Sequence, residues 1–243
     1  MVKSVEHQGV LVRDLEELRE AEMAATQALL GTTIALAEAE WYAPSCLPGW
    51  TRAHVATHLA RNADAFVHLV ATATWGTTPL YPAAAYRWRD IERGAHRAPL
   101  DLQTDLDASA SRLLRTYADL SDLRDRWVVL WPGQRVRMSL LPLARLSEVV
   151  LHHFDLDCGF TPAQIDPAAA AWLLQWHAFW LAGDPAYPAI ELVAESGLHL
   201  RVGAGHHRIR ATGTDADLVT WLTGRQRPSQ FGAKHLPTLP RRP

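Results

Sequence analysis

The chain has 243 residues, enough to bury a real core as one large domain or two small ones. Hydrophobic residues make up 48% and charged residues 21%, which excludes a disordered chain. The formal charge of -2, from 24 basic and 26 acidic residues, counts against a dedicated duplex-DNA binder.

The N-terminus turns charged before an apolar stretch can form, so no secretory signal is expected. Residues Val12 to Glu40 are rich in Ala, Leu and Glu with apolar positions near a 3.6 spacing, which predicts a long amphipathic helix. The loop Tyr42 to Trp50 carries two prolines and a glycine and ends it. Thr51 is placed to N-cap a second helix running to about Trp75. After the punctuated loop Gly76 to Pro82, a third helical region covers Tyr86 to Ala95 and Leu102 to Leu120. The stretch Trp127 to Ser139 reads as a loop with extended pieces, and a fourth helix spans about Leu143 to Asp157. Together these read as an antiparallel helical bundle over residues 1–158.

The character changes from residue 159 to 243, which reads as a small α+β domain. Asp166-Pro167 is a helix start, a cap followed by proline at the first helical position, for a helix to about Leu181. That run holds Gln175 and His177 and is too short to span a bilayer. Trp172, Trp176 and Trp180 recur on one face of it, read as a contact stripe between the two domains. Strand-like runs follow at Ala189 to Ala194, Leu198 to Val202 and His207 to Ala211, then a helix from Asp215 to Thr223 and a Pro-rich tail. The fold class expected is therefore mainly α, with a small α+β C-terminal domain.

Twelve histidines are many for this length, and two pairs stand out. His54 and His58 lie four apart on the second helix; Glu148 and His152 lie four apart on the fourth. Two facing helices offering these groups can close a mononuclear metal site, and two histidines with one carboxylate is a catalytic zinc set that leaves a position open. Only one of His54 and His58 need point inward, and Leu59, Ala63 and Phe66 favour His58. Asp155 is placed to accept the second ring N–H of His152. On spacing alone the competing reading, a surface Glu/His contact, is the more common one. His153 must point about 100° away from His152 and reads as a boundary residue. His206 and His207 read as exposed turn residues.

Other chemistry has less support. Cys46 offers a nucleophile but a lone cysteine is more often a small buried hydrophobe. Cys46 and Cys158 are too few for a disulfide scaffold and fit a reducing compartment, so a cytoplasmic protein is expected. No G-x-S-x-G elbow is present, and Gly203-Ala204-Gly205 lacks the full dinucleotide fingerprint. Arg225 can form a bidentate pair with a carboxylate, or simply complement the end of the last helix.

The run Leu47-Pro48-Gly49-Trp50-Thr51-Arg52-Ala53-His54-Val55-Ala56-Thr57-His58-Leu59-Ala60-Arg61-Asn62-Ala63-Asp64 closely resembles the N-terminal signature of mycothiol-dependent maleylpyruvate isomerases. Thr78-Pro79-Leu80-Tyr81 with Arg87, Ile91, Glu92 and Gly94 looks like the next block of that family. Arg145 and the run Glu148 to Leu156 look like its second metal segment. Trp221 to Arg225 and the tail Leu236 to Pro240 look like its C-terminus. The resemblance covers nearly the whole chain. It implies a DinB-like four-helix bundle followed by a small α+β domain. It implies His58, Glu148 and His152 as ligands of zinc or another divalent metal, and Arg225 as a catalytic residue. It also implies mycothiol, a low-molecular-weight thiol of actinobacteria, as cosubstrate. Arg225 and Arg87 would then hold the small electrophilic substrate. Three departures are visible: Ser147 where arginine is frequent, Pro82-Ala83 where a serine is common, and a tail without a terminal tryptophan. None touches an implied ligand.

Three functions stay open at this point: cis-trans isomerisation of maleylpyruvate with the thiol returned, mycothiol S-transfer to another electrophile, and a non-catalytic metal-binding module. Neither a nucleic acid nor a membrane is an expected partner, and monomer and homo-oligomer remain equally open.

Overall fold

The computed structural model describes residues 3–5, 15–72, 80, 84–117, 120, 125–131, 134–205, 208–231 and 236–239. Packing divides them into two units, 3–5 with 15–160, and 161–239. Thr78-Pro79, Tyr81, Pro82-Ala83, His206, His207 and the end of the tail from Pro240 lie outside the described residues. The chain is mainly helical, as expected from its patterning.

In the first unit four long helices, α1 (Leu15–Ile34), α2 (Arg52–Thr72), α4 (Pro99–Tyr117) and α5 (Leu141–Asp155), surround one core. Helix α1 packs on α4 and α5, and α2 packs on the same two from the other side. The short α3 (Ala84–Gly94) lies against α2. Its last residue must be small, since a Cβ on Gly94 would sit 2.4 Å from Thr57 Cγ2. Leu18, Leu59, Leu113, Leu143 and Leu146 are fully buried, each contributing about 1.5–3 kcal/mol relative to exposure.

Two sequence expectations need correction here. Helix α1 stops at Ile34 rather than Glu40. Thr32 and Thr33 turn their hydroxyls back onto the Ala28 and Leu30 carbonyls, and the Glu40 carboxylate accepts the Ala37 N–H to cap a separate 3-10 turn at Glu38–Tyr42. Secondly, the extended pieces expected within the Trp127 to Ser139 loop are paired strands. Strands β2 (Trp127–Trp131) and β3 (Gln134–Arg137) pair antiparallel, and β1 (Lys3–Val5) pairs parallel with β3. Val128, Leu130 and Val136 are buried while Trp127 and Val129 are half-buried, the period-2 burial of a strand pair with one covered face. The two pieces expected of the third helical region, Tyr86 to Ala95 and Leu102 to Leu120, are two helices, and Pro99 opens the second, α4.

In the second unit α6 (Pro167–Leu181) begins where the sequence places it. The Asp166 carboxylate accepts the N–H groups of Ala168 and Ala169 at 2.9 and 3.0 Å, with proline in the first turn. Strand β4 (Ile190–Ala194) is central, antiparallel to β5 (His199–Val202) and parallel to β6 (Ile209–Gly213). Helix α7 (Asp215–Leu222) packs on α6 and on β4 and β6. Gly203, at φ +68°, lies so close to the chain at Pro188 that a Cβ would meet its carbonyl oxygen at 2.1 Å.

Candidate metal centre

The site is built where α2 faces α5. On α5, Glu148 and His152 are one turn apart and project on one face. On α2, His58 is fully buried within a helix that also buries Thr57, Leu59 and Asn62. His58, Glu148 and His152 each present one donor atom, and the three atoms lie within 4.8 Å of one another. His58 Nε2 is 3.1 Å and His152 Nε2 3.7 Å from the same Glu148 oxygen, Oε2. The two imidazoles meet edge to face with ring centres 4.5 Å apart. Both histidine side chains are buried, at 1% and 6% exposure, whereas Glu148 keeps 16%. The triad is therefore open to solvent on its carboxylate side.

The donor set fits a divalent metal. Donors held tetrahedrally about 2 Å from zinc are roughly 3.3 Å apart, and the two His–Glu separations bracket that value. A neutral imidazole offers a lone pair at Nε2 only when its proton sits on Nδ1. Asp155, fully buried, places Oδ2 2.9 Å from His152 Nδ1, which favours that tautomer although the oxygen lies off the ring N–H axis.

The neighbours of the triad are settled by the structure. His54, one turn before His58, does not join it: its Nδ1 takes the Thr51 N–H at 3.2 Å and lies 2.7 Å from Thr51 Oγ1, while Nε2 faces Glu92 at 3.4 Å. Thr51 thus does mark the start of α2, but through the ring of His54. His153 points away from the site, toward α1. It is fully buried rather than at a boundary, 2.8 Å from Thr32 Oγ1 of α1 and stacked on Phe160 at 3.9 Å, and burial pushes its pKa down to about 4. Trp50, which the sequence did not single out as a site residue, lies with its ring 5.7 Å from that of His58 and 6.2 Å from that of His54, and the Trp88 ring lies 5.5 Å from it. It walls one flank of the site. A tryptophan within one turn of a ligand helix, next to a proline and glycine, was the available signal.

Arg225 belongs to the second unit. Helix α7 ends in a Schellman turn: Gly224 at φ +76° donates to Trp221, and the Arg225 N–H returns to the Thr220 carbonyl at 2.8 Å. The Arg225 guanidinium donates to the Thr223 carbonyl at 3.0 Å. Arg87 lies on α3, and its side chain is outside the described residues. Neither cysteine is in a disulfide; Cys46 is exposed, and Cys158 donates to the Leu156 carbonyl with its thiol pKa pushed up by burial. Among the described residues no helix is long and apolar enough to cross a membrane.

Comparison with known proteins agrees with this architecture. Residues 22–157 match the family described as the mycothiol maleylpyruvate isomerase N-terminal domain. Two crystal structures superpose over 94% of this chain and 97% of their own, each with a TM-score of 0.84. One is a mycothiol-dependent maleylpyruvate isomerase, 26% identical; the other is a histidine-to-alanine variant of a mycothiol-dependent maleylpyruvate isomerase, 25% identical. No curated protein matches the sequence. The family match spans more than half of the chain and contains all three donors, so the chain belongs to the mycothiol maleylpyruvate isomerase family, a family of enzymes.

Proposed function

We propose that this protein catalyses the cis-trans isomerisation of maleylpyruvate to fumarylpyruvate with mycothiol as a recycled cosubstrate. The observation that carries the reading is the buried His58–Glu148–His152 triad in a chain of this family. His58, Glu148 and His152 would hold zinc or another divalent ion. Such an ion favours thiolate over thiol at neutral pH and supplies a nucleophile.

The protein's own groups do the rest. The two histidines present Nε2 from rigid, buried positions, so little reorganisation accompanies ligation. Asp155, 2.9 Å from Nδ1, would orient the His152 ring, and the Trp50 ring flanks His58. The thiol sulfur adds to the C2=C3 double bond of the substrate and a proton balances the resulting enolate. The adduct carries a single bond there and rotates. Loss of the thiol, with return of the proton, gives the trans product and free mycothiol. Arg225 would bind the substrate carboxylate or the enolate oxygen through its planar fork, with Arg87 as a second anchor. Cys46 and Cys158, outside any disulfide, suit the reducing cytoplasm in which such a thiol is kept reduced.

A single timed assay tests this. Zinc-loaded protein is mixed with mycothiol and maleylpyruvate, and both fumarylpyruvate and free thiol are quantified. Many turnovers with thiol undiminished are expected. Thiol lost in step with an adduct would replace isomerisation by S-transfer, and no reaction in zinc-loaded protein would overturn the substrate assignment.

A further inference from the structure

One turn before Glu148, α5 carries a second polar group that the chemistry above does not use. Arg145 is buried at 1% exposure in the core of the helical unit. Its Nη1 donates to the Leu59 carbonyl at 3.0 Å and to Asn62 Oδ1 at 2.6 Å. Leu59 is the residue after His58, and Asn62 is one turn further along α2. Arg145, Glu148 and His152 share a face of α5, so the guanidinium grips α2 directly beside the triad. Its charge is met by Glu22 of α1, with Arg145 Nε 4.0 Å from Glu22 Oε1, and Thr26 donates to that oxygen at 3.0 Å.

As a source of stability this cluster is poor. Arg145 Nε and Glu22 Oε2 have no hydrogen-bond partner among the described residues, and burial pushes the Glu22 carboxyl pKa up despite Arg145 and Thr26. A buried ion pair of this kind is commonly matched or bettered in stability by apolar side chains of the same volume. What apolar side chains lack is directionality. A slip of α5 along α2 by one helical turn, about 5.4 Å, exceeds the whole 4.8 Å spread of the donor atoms.

We propose that Arg145 is a positioning residue for the metal centre: its two bonds to α2 fix the one register in which Glu148 stands opposite His58. Glu22 lies on the α1 side of the guanidinium, and Asn62 receives it on α2. The proposal rests on the reading of the triad as a metal site.

The test replaces the cluster by apolar groups in the full chain, as Glu22→Leu/Asn62→Leu/Arg145→Met. It follows cobalt(II) as the probe, by affinity and by visible absorption, which reports coordination geometry. The variant is expected to fold with a Tm at or above that of the parent. Its cobalt affinity is expected to fall about 10–100-fold, the range for groups that orient metal ligands, with shifted absorption bands. A parent-like affinity and spectrum would overturn the proposal. Should the triple variant not fold, Arg145→Lys decides. It keeps the charge but not the planar fork, and is expected to weaken cobalt binding several-fold with altered bands; an unaltered spectrum and affinity there would equally overturn it. A parent protein that binds no cobalt would instead remove the metal reading itself, and the proposal with it.

Discussion

The two units bury polar side chains in different ways. In the second unit Gln175, Thr220 and Thr223 are buried, and each bonds the backbone of its own helix: Gln175 to Ala171, Thr220 to Ala216 and Thr223 to Val219; the longer reaches of buried Tyr187 and Trp221 also end on backbone, the carbonyls of Leu222 and Pro237. Apart from a further bond from Thr220 to the Gln226 side chain, these bonds end on the main chain. In the helical unit some buried polar groups, such as Thr33 and Ser109, are equally local, but others pair with groups on a different helix. His58 meets Glu148, Arg145 meets Leu59 and Asn62, His153 meets Thr32. Cross-helix polar contacts in a core are costly to satisfy and weak as sources of stability. Their concentration along α2 and α5 marks where the helical unit gives up packing simplicity for chemistry.

The sharpest way to break this comparison is to remove the metal. Chelated protein is expected to lose turnover completely and to regain it with one equivalent of zinc, and full turnover in metal-free protein would leave the α2–α5 cluster without its purpose. Next in size is Arg225→Lys, the one change in the second unit expected to touch chemistry. Turnover should fall by about a hundredfold with metal content unchanged, because a point charge does not replace a planar fork. Steady-state kinetics beside metal analysis separates the two effects, and unchanged turnover removes Arg225 from the mechanism. Asp155→Asn should weaken zinc binding by about 10–100-fold through loss of control over His152, measured by competition with a chelating dye.

The smallest effect lies on the outside of the helical unit. Asp105 joins α4 to Arg61 and Arg97 at 2.7 and 2.8 Å. Burial alone would raise its carboxyl pKa; hydrogen bonds and charge from Arg97 and Arg61 outweigh this and hold it below the usual value of 3.8. Its stabilisation is thus present above about pH 4 and lost as pH falls through the lowered pKa. Asp105→Asn should cost about 1 kcal/mol at pH 7, with the gap to the parent closing in acid, and leave metal affinity unaltered. Urea unfolding between pH 3 and 7 measures it.

Much of this was legible from local chemistry. The Asp166-Pro167 start and the three strands after it follow from caps, turns and alternation, which act within a few residues. The pairing of β2 with β3 was missed because Trp127, Val129 and Trp131 make the half-buried face as apolar as the covered one, hiding the alternation. The end of α1 was missed because Thr32 and Thr33 sit inside a strongly helical composition. At the site, spacing alone pairs Glu148 with His152 but cannot choose between His54 and His58; Thr51 makes that choice by engaging the His54 ring. The partners of Arg145 come from residues 83 and 86 positions away, and no local pattern announces them.

The account stands most directly on the claim that His58, Glu148 and His152 together hold one metal ion. Equilibrium dialysis against buffered zinc, with metal counted per chain, tests it in the parent and in Glu148→Ala. One equivalent in the parent, and none in the variant at the same free zinc, is the expected result. A variant that retains one equivalent with parental affinity would contradict it.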